Sequence, residues 1–88
     1  MKGYVRLFAT LAKNVSKAIL AQHPQGISAG TPLELELTEG STLDDLITRL
    51  GLPRDEVKLL FVNGRAQKTD RRLEHKDEVG IFPPVGGG

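Results

Sequence analysis

Residues 40–53, GSTLDDLITRLGLP, constrain this chain more than any other stretch, because they spell one complete helix with both of its ends. Leu43, Leu46, Ile47 and Leu50 fall at i, i+3, i+4 and i+7, which gathers them into a single apolar stripe. Ser41 or Thr42 offers an N-cap oxygen, and Asp44 and Asp45 stand where the helix dipole favours negative charge. Gly51 supplies the left-handed residue that closes a helix, and Pro53 blocks any continuation. A helix with one apolar stripe needs a surface to bury it against. The segments around it offer strands.

In GYVRLFA (3–9), Val5, Leu7 and Ala9 share one parity while Tyr4, Arg6 and Phe8 share the other, the period of a strand. PLELELT (32–38) repeats the pattern, with Leu33, Leu35 and Leu37 inward and Glu34 and Glu36 in water. KLLFVNGRAQ (58–67) reads as two strands around Asn63-Gly64, since both turn residues tolerate positive φ. EVGIF (78–82) is a last short strand, with Val79 and Ile81 on one face and Gly80 and Phe82 on the other. Pro83 and Pro84 then end it, having no amide hydrogen to donate. LAKNVSKAILAQ (11–22) has Leu11, Val15, Ile19 and Leu20 near helical spacing, enough for two or three turns. HPQGISAGTP (23–32) reads as a loop and DRRLEHKD (70–77) as an irregular turn. The expected class is α+β: a mixed sheet with one main helix on one face. Its element order resembles the ubiquitin-like β-grasp. Residues 1–82 form that domain, and 83–88 a flexible C-terminal tail.

One helix covers one side of a sheet. If Val5, Leu7, Leu33, Leu35, Leu37, Val79 and Ile81 face it, Phe8 and Phe82 lie on the uncovered side. First and last strands are central neighbours in a β-grasp, so the two rings come close together. Leu60 joins them if its parity follows Lys58. An apolar patch on a small charged domain suggests a protein interface. The competing reading lays the 11–30 segment over these aromatics.

Composition narrows the chemistry. The 88 residues contain no cysteine, which removes disulfides, thiolate zinc sites and a thiol nucleophile from this chain and fits a cytoplasmic protein. No apolar run reaches the length of a membrane span. A formal net charge of +1 gives little long-range attraction for nucleic acid or anionic lipid. The densest basic stretch, GRAQKTDRRLEHK (64–76), includes Asp70 and Glu74 and no stacking aromatic. It reads as a solvated loop and edge, with docking onto an acidic protein as the alternative. His23 and His75 have no second ligand at a useful spacing, so no metal site is expected.

The chain finishes IFPPVGGG. Glycine loses more backbone freedom on ordering than any other residue, and three in a row have nothing to pack. What they offer is width: a backbone without side chains enters a narrow channel and pairs through its amides alone. The prolines stiffen the exit. The only special group is the terminal carboxylate, a poor acyl electrophile until ATP converts it to an adenylate. The chain has no phosphate-binding GxxxxGK[ST] loop to do so itself. The tail reads as a substrate presented to another enzyme.

DEVGIFPPVGGG (77–88), with VRLFATLA (5–12) and LLFVNGR (59–65), resembles the small subunit of molybdopterin synthase (MoaD-like), within the ubiquitin-like MoaD/ThiS sulfur carriers. The resemblance implies that Gly88 is adenylated by a ubiquitin-activating-type adenylyltransferase (MoeB/ThiF-like) that uses ATP, and is then converted to a thiocarboxylate. The tail would enter the large synthase subunit (MoaE-like) and donate sulfur to the pterin precursor in molybdenum cofactor biosynthesis. This chain would be a non-catalytic, sulfur-donating subunit that binds no cofactor of its own. Gly86 and Gly87 become the steric requirement, and Pro83, Pro84 and Val85 the stem of the tail. Phe8 and Phe82 match partner-contact positions. The 11–31 segment exceeds the short connection of many members, either as surface elaboration or as a determinant of partner choice. Other recipients share the tail chemistry: thiamine synthesis, transfer-RNA thiolation, or attachment to lysines as a protein modifier. A passive β-grasp interaction module is the remaining alternative.

Overall fold

The computed structural model describes residues 1–13, 15–23 and 26–84. The elements run β1 (Lys2–Leu7), α1 (Lys17–Ala21), β2 (Pro32–Glu36), α2 (Leu43–Leu50), β3 (Leu59–Val62), β4 (Arg65–Ala66) and β5 (Asp77–Phe82), with 3-10 turns at Ala9–Lys13 and Arg54–Glu56. The strands form one sheet in the order β2-β1-β5-β3-β4. β1 and β5 lie parallel at its centre, and the other neighbours are antiparallel. This is the expected α+β architecture, a ubiquitin-like β-grasp. The parallel register sets Val5 beside Val79 and Leu7 beside Ile81, and β2 adds Leu33 opposite Val5. All are buried on one face, where Leu43, Leu46, Ile47 and Leu50 of α2 close over them.

The helix ends follow their local chemistry. Thr42 is the N-cap: its Oγ1 accepts from the Asp45 amide at 3.2 Å, and the Asp45 carboxylate accepts from the Thr42 amide at 3.0 Å. The amides of Leu43 and Asp44 donate to the carbonyls of Arg71 and Thr69 at 3.0 and 2.9 Å. Carbonyls at the start of the irregular turn, Thr69 and Arg71, thus satisfy first-turn donors that no helix can pair internally. At the other end Gly51 takes φ 70°, the left-handed closure.

Two expectations need correction. The first strand stops at Leu7, because Ala9 adopts φ 53° and turns the chain so that Leu11 enters the core. Ala9 is therefore exposed and does not join Val5 and Leu7 on the inner face. The 11–22 stretch is not one helix but a 3-10 turn followed by the five residues of α1. The Ser16 amide explains the break: it donates to Leu50 O at 2.8 Å, a carbonyl at the end of α2, instead of extending a helix behind it. Leu11, Val15 and Ile19 are all buried with the core, so this segment builds the domain and is not a surface elaboration.

Candidate functional site

The uncovered face of the sheet is apolar at one end. Phe8 and Phe82 stack with ring centroids 4.2 Å apart and planes 2° from parallel. Phe61 meets Phe82 edge-on at 5.5 Å and 81°, the favoured T arrangement. Alternation on three strands brings them together. Phe82 follows Gly80 in parity on β5, Phe8 continues the outer parity of β1, and Phe61 lies opposite Gly80 in the β3–β5 register. Gly80 is the floor: a Cβ there would touch Phe8 at 3.5 Å and Phe82 at 3.6 Å. The hollow between rings and hairpin has a volume of about 440 Å³ and reaches Arg6, Asn63 and Glu78.

Phe8 is held by backbone as well as by its ring. Its amide donates to Ile81 O at 3.1 Å and its carbonyl accepts from Leu11 at 3.2 Å. The loop after α1 reaches the rim at Gly30, which donates to Leu7 O at 2.8 Å. Among the described residues of the 11–30 segment, Leu11, Ala12, Val15 and Ile19 are spent in the core on the opposite face, with Leu20 and Ile27 packed against it, and do not cover the aromatics. Phe82 is pinned too, its carbonyl accepting from the Lys58 amide at 2.9 Å. The chain leaves the sheet directly after it, through half-buried Pro83 and exposed Pro84, neither in regular structure. Val85, Gly86, Gly87 and Gly88, and with them the expected flexible end, lie outside the described residues.

Leu60 is a correction. It is 7% exposed, opposite Ile81 in register, and belongs to the core beneath the sheet. The apolar residues of β3 on the open side are Phe61 and Leu59, the latter 44% exposed. Leu59, Leu60 and Phe61 are all apolar, so the hairpin run shows no alternation to reveal which faces out; pairing with β5 decides it. Phe61 is hidden in the sequence for that reason. Asp77 is hidden as well: a buried carboxylate, it accepts from the Glu74 amide at 2.7 Å and from Asn63 Nδ2 at 2.9 Å.

Electrostatics separate this end of the sheet from the other. At the far end Lys2 Nζ meets Glu34 Oε1 at 2.9 Å, and the hydrogen bond and charge of Glu34 raise the Lys2 ammonium above its ordinary 10.5. Around the rings Arg6 makes no ion pair among the described residues. Among the described residues no three His, Asp or Glu side chains cluster to hold a metal, and no helix is long and apolar enough to cross a membrane. The arrangement presents an apolar aromatic face with the chain exit beside it.

The chain matches the ThiS family over residues 5–88. It belongs to that family. ThiS/MoaD-like proteins are ubiquitin-fold sulfur carriers or modifiers, and the fold of this ThiS-family chain is similar to solved structures of that shape. SAMP1 from Haloferax volcanii matches with a TM-score of 0.65 at 20% identity, covering 100% of both chains. A second structure, of H. volcanii small archaeal modifier protein 1, matches with a TM-score of 0.65 at 19% identity over 96% of this chain and 98% of that one. A Pyrococcus furiosus protein provisionally named molybdopterin converting factor, subunit 1, matches with a TM-score of 0.59 at 29% identity over 97% of this chain and 99% of the other. The comparison with curated proteins gives no match. The family match includes the terminal glycines, so the ThiS assignment covers both the aromatic face and the tail it adjoins.

Proposed function

We propose that this ThiS-family chain is a sulfur carrier acting as the small subunit of a molybdopterin synthase, with Gly88 as its reacting residue. The observation that carries the reading is the juxtaposition of the Phe8–Phe82–Phe61 face with the exit of β5 into Pro-Pro-Val-Gly-Gly-Gly. A partner docked on the rings receives the tail in its own active site. The named Pyrococcus furiosus relative points to the same recipient.

The chemistry follows from the acyl group. A carboxylate repels nucleophiles, so an activating enzyme first lets the Gly88 oxygen attack the α-phosphorus of ATP, expelling pyrophosphate. The mixed anhydride has AMP as a good leaving group. The outer sulfur of a partner's persulfide displaces AMP and forms an acyl disulfide. A second thiol on the partner then cleaves the S–S bond, leaving a disulfide on the partner and a thiocarboxylate on Gly88, a polarisable, weakly hydrated nucleophile at neutral pH. Gly86 and Gly87 let the backbone lie in a channel that any side chain would block. The work of this chain is to be recognised and to deliver. ATP, the adenylyltransferase, the persulfide and the large subunit belong to its partners.

Intact mass spectrometry after incubation with the activating enzyme, ATP and a sulfur donor is the test. Exchange of one terminal oxygen for sulfur is expected, followed by sulfur transfer to the pterin precursor when the large subunit is added. A terminus left as carboxylate rejects the carrier reading. Lysine-linked conjugates on a denaturing gel, without pterin product, would mark a protein modifier instead.

A further inference from the structure

The hairpin turn carries chemistry that the docking face does not use. Asn63 and Gly64 take φ 52° and 82°, a turn in which both central residues are left-handed. Asn-Gly is also the dipeptide in which a backbone nitrogen most easily reaches the asparagine Cγ, because glycine offers no side chain to obstruct it. Here the Asn63 amide is held at both ends. Its Nδ2 donates to Asp77 Oδ1 at 2.9 Å, and its Oδ1 accepts from the Glu78 amide at 3.0 Å. Its backbone amide also donates to Glu78 O at 2.8 Å. The side chain is thus a clamp between the turn and the first residues of β5.

We propose that Asn63-Gly64 is a latent deamidation site, and that the Asn63 side chain is the latch holding the β3–β4 hairpin to β5 until it is hydrolysed. The Gly64 nitrogen, giving up its proton to water, attacks Asn63 Cγ; the Cγ–Nδ2 bond breaks and ammonia leaves. Water then opens the succinimide at either carbonyl, giving aspartate or its β-linked isomer. In the folded protein the amide must release both bonds before this attack, so the reaction waits for local opening. The product differs in sign from the reactant. A donor to Asp77 becomes an acceptor, and two carboxylates then meet where Asp77 is already 5% exposed. The nearest cation, Arg71, stands 4.0 Å from the other Asp77 oxygen, which already accepts from Glu74. Glu74 and Glu78 add negative charge nearby, and Arg65 lies across the turn on β4. The hairpin that loosens carries Phe61, the edge partner of Phe82.

The test has two arms, and neither depends on the tail chemistry. Peptide mapping by mass spectrometry follows amide-to-acid conversion at Asn63 in warm, mildly alkaline buffer, for folded protein and for protein in urea. Conversion on the order of tenfold or more slower in the fold is expected, because attack requires opening of the latch. Equal rates overturn the proposal. The second arm compares denaturation midpoints of Asn63→Asp and Asn63→Gly, the glycine variant keeping the turn conformation without the side chain. Asn63→Asp is expected to fall below Asn63→Gly at neutral pH. One of its paired carboxylates is raised in the folded state by the like charge, so lowering the pH through the carboxylate range should restore its midpoint. An Asn63→Asp protein as stable as the parent at neutral pH, or a deficit that does not change with pH, overturns it.

Discussion

Two glycines with nearly the same backbone angle answer to different demands. Gly51 and Gly64 sit at φ 70° and 82°, where an L side chain is strained by about 1–2 kcal/mol. Nothing stands within 4 Å of a Cβ at Gly64, so Gly64→Ala should cost only that strain. At Gly51 the Cβ would lie 2.8 Å from Ser16 Cβ and 3.3 Å from its backbone nitrogen. Gly51→Ala should therefore cost about 3 kcal/mol or more, adding the overpacking penalty of a displaced α1 to the strain. Urea denaturation of the two variants checks the order. The turn at Asn63-Gly64 and the closure at Gly51 were both legible, because each is a local backbone requirement written in residue type. The approach of Ser16 to Gly51 was not, because it joins residues from two helices whose docking no local pattern specifies.

At the scale of elements, β3 tests how the sheet sorts its faces. Leu60, 7% exposed beneath the sheet, and Leu59, 44% exposed above it, are neighbours of one residue type. Leu60→Ala should cost about 2–5 kcal/mol by opening a cavity in the core. Leu59→Ala should stay within about 0.5 kcal/mol in folding and show its effect in partner binding. Thermal denaturation separates them at once. Strands β1, β2 and β5 could be assigned to faces from sequence because charged or small residues alternate with aliphatic ones. The run Leu59–Val62 is apolar throughout, and only its antiparallel register to β5 orients it. The 11–22 segment failed in a different way. Its helical spacing was real, but the carbonyl of Leu50 draws the Ser16 amide, and the helix shortens to α1.

At the scale of the whole molecule, the core and the Phe8–Phe61–Phe82 cluster occupy opposite sides of one sheet. Under the proposed function, stability and partner docking should therefore be separable by mutation. Appending one residue after Gly88 should leave the denaturation midpoint unchanged while thiocarboxylate formation falls to background by mass spectrometry. Phe82→Ala should weaken partner docking by about tenfold or more in calorimetric titration, as for an aromatic anchor at the centre of an interface, while the tail carboxylate stays intact. The sequence by itself determined the helix, its caps, the hairpin turn and the parity of three strands. Each of these rests on interactions within a few residues, where spacing and residue type suffice. Only the tertiary structure decided that Phe61, not Leu60, completes the aromatic face, that the 11–21 segment feeds the core, and that Asp77 lies buried under Asn63. Those outcomes depend on contacts between segments far apart in the chain, where strand register and burial choose among arrangements that local physics leaves equal in energy.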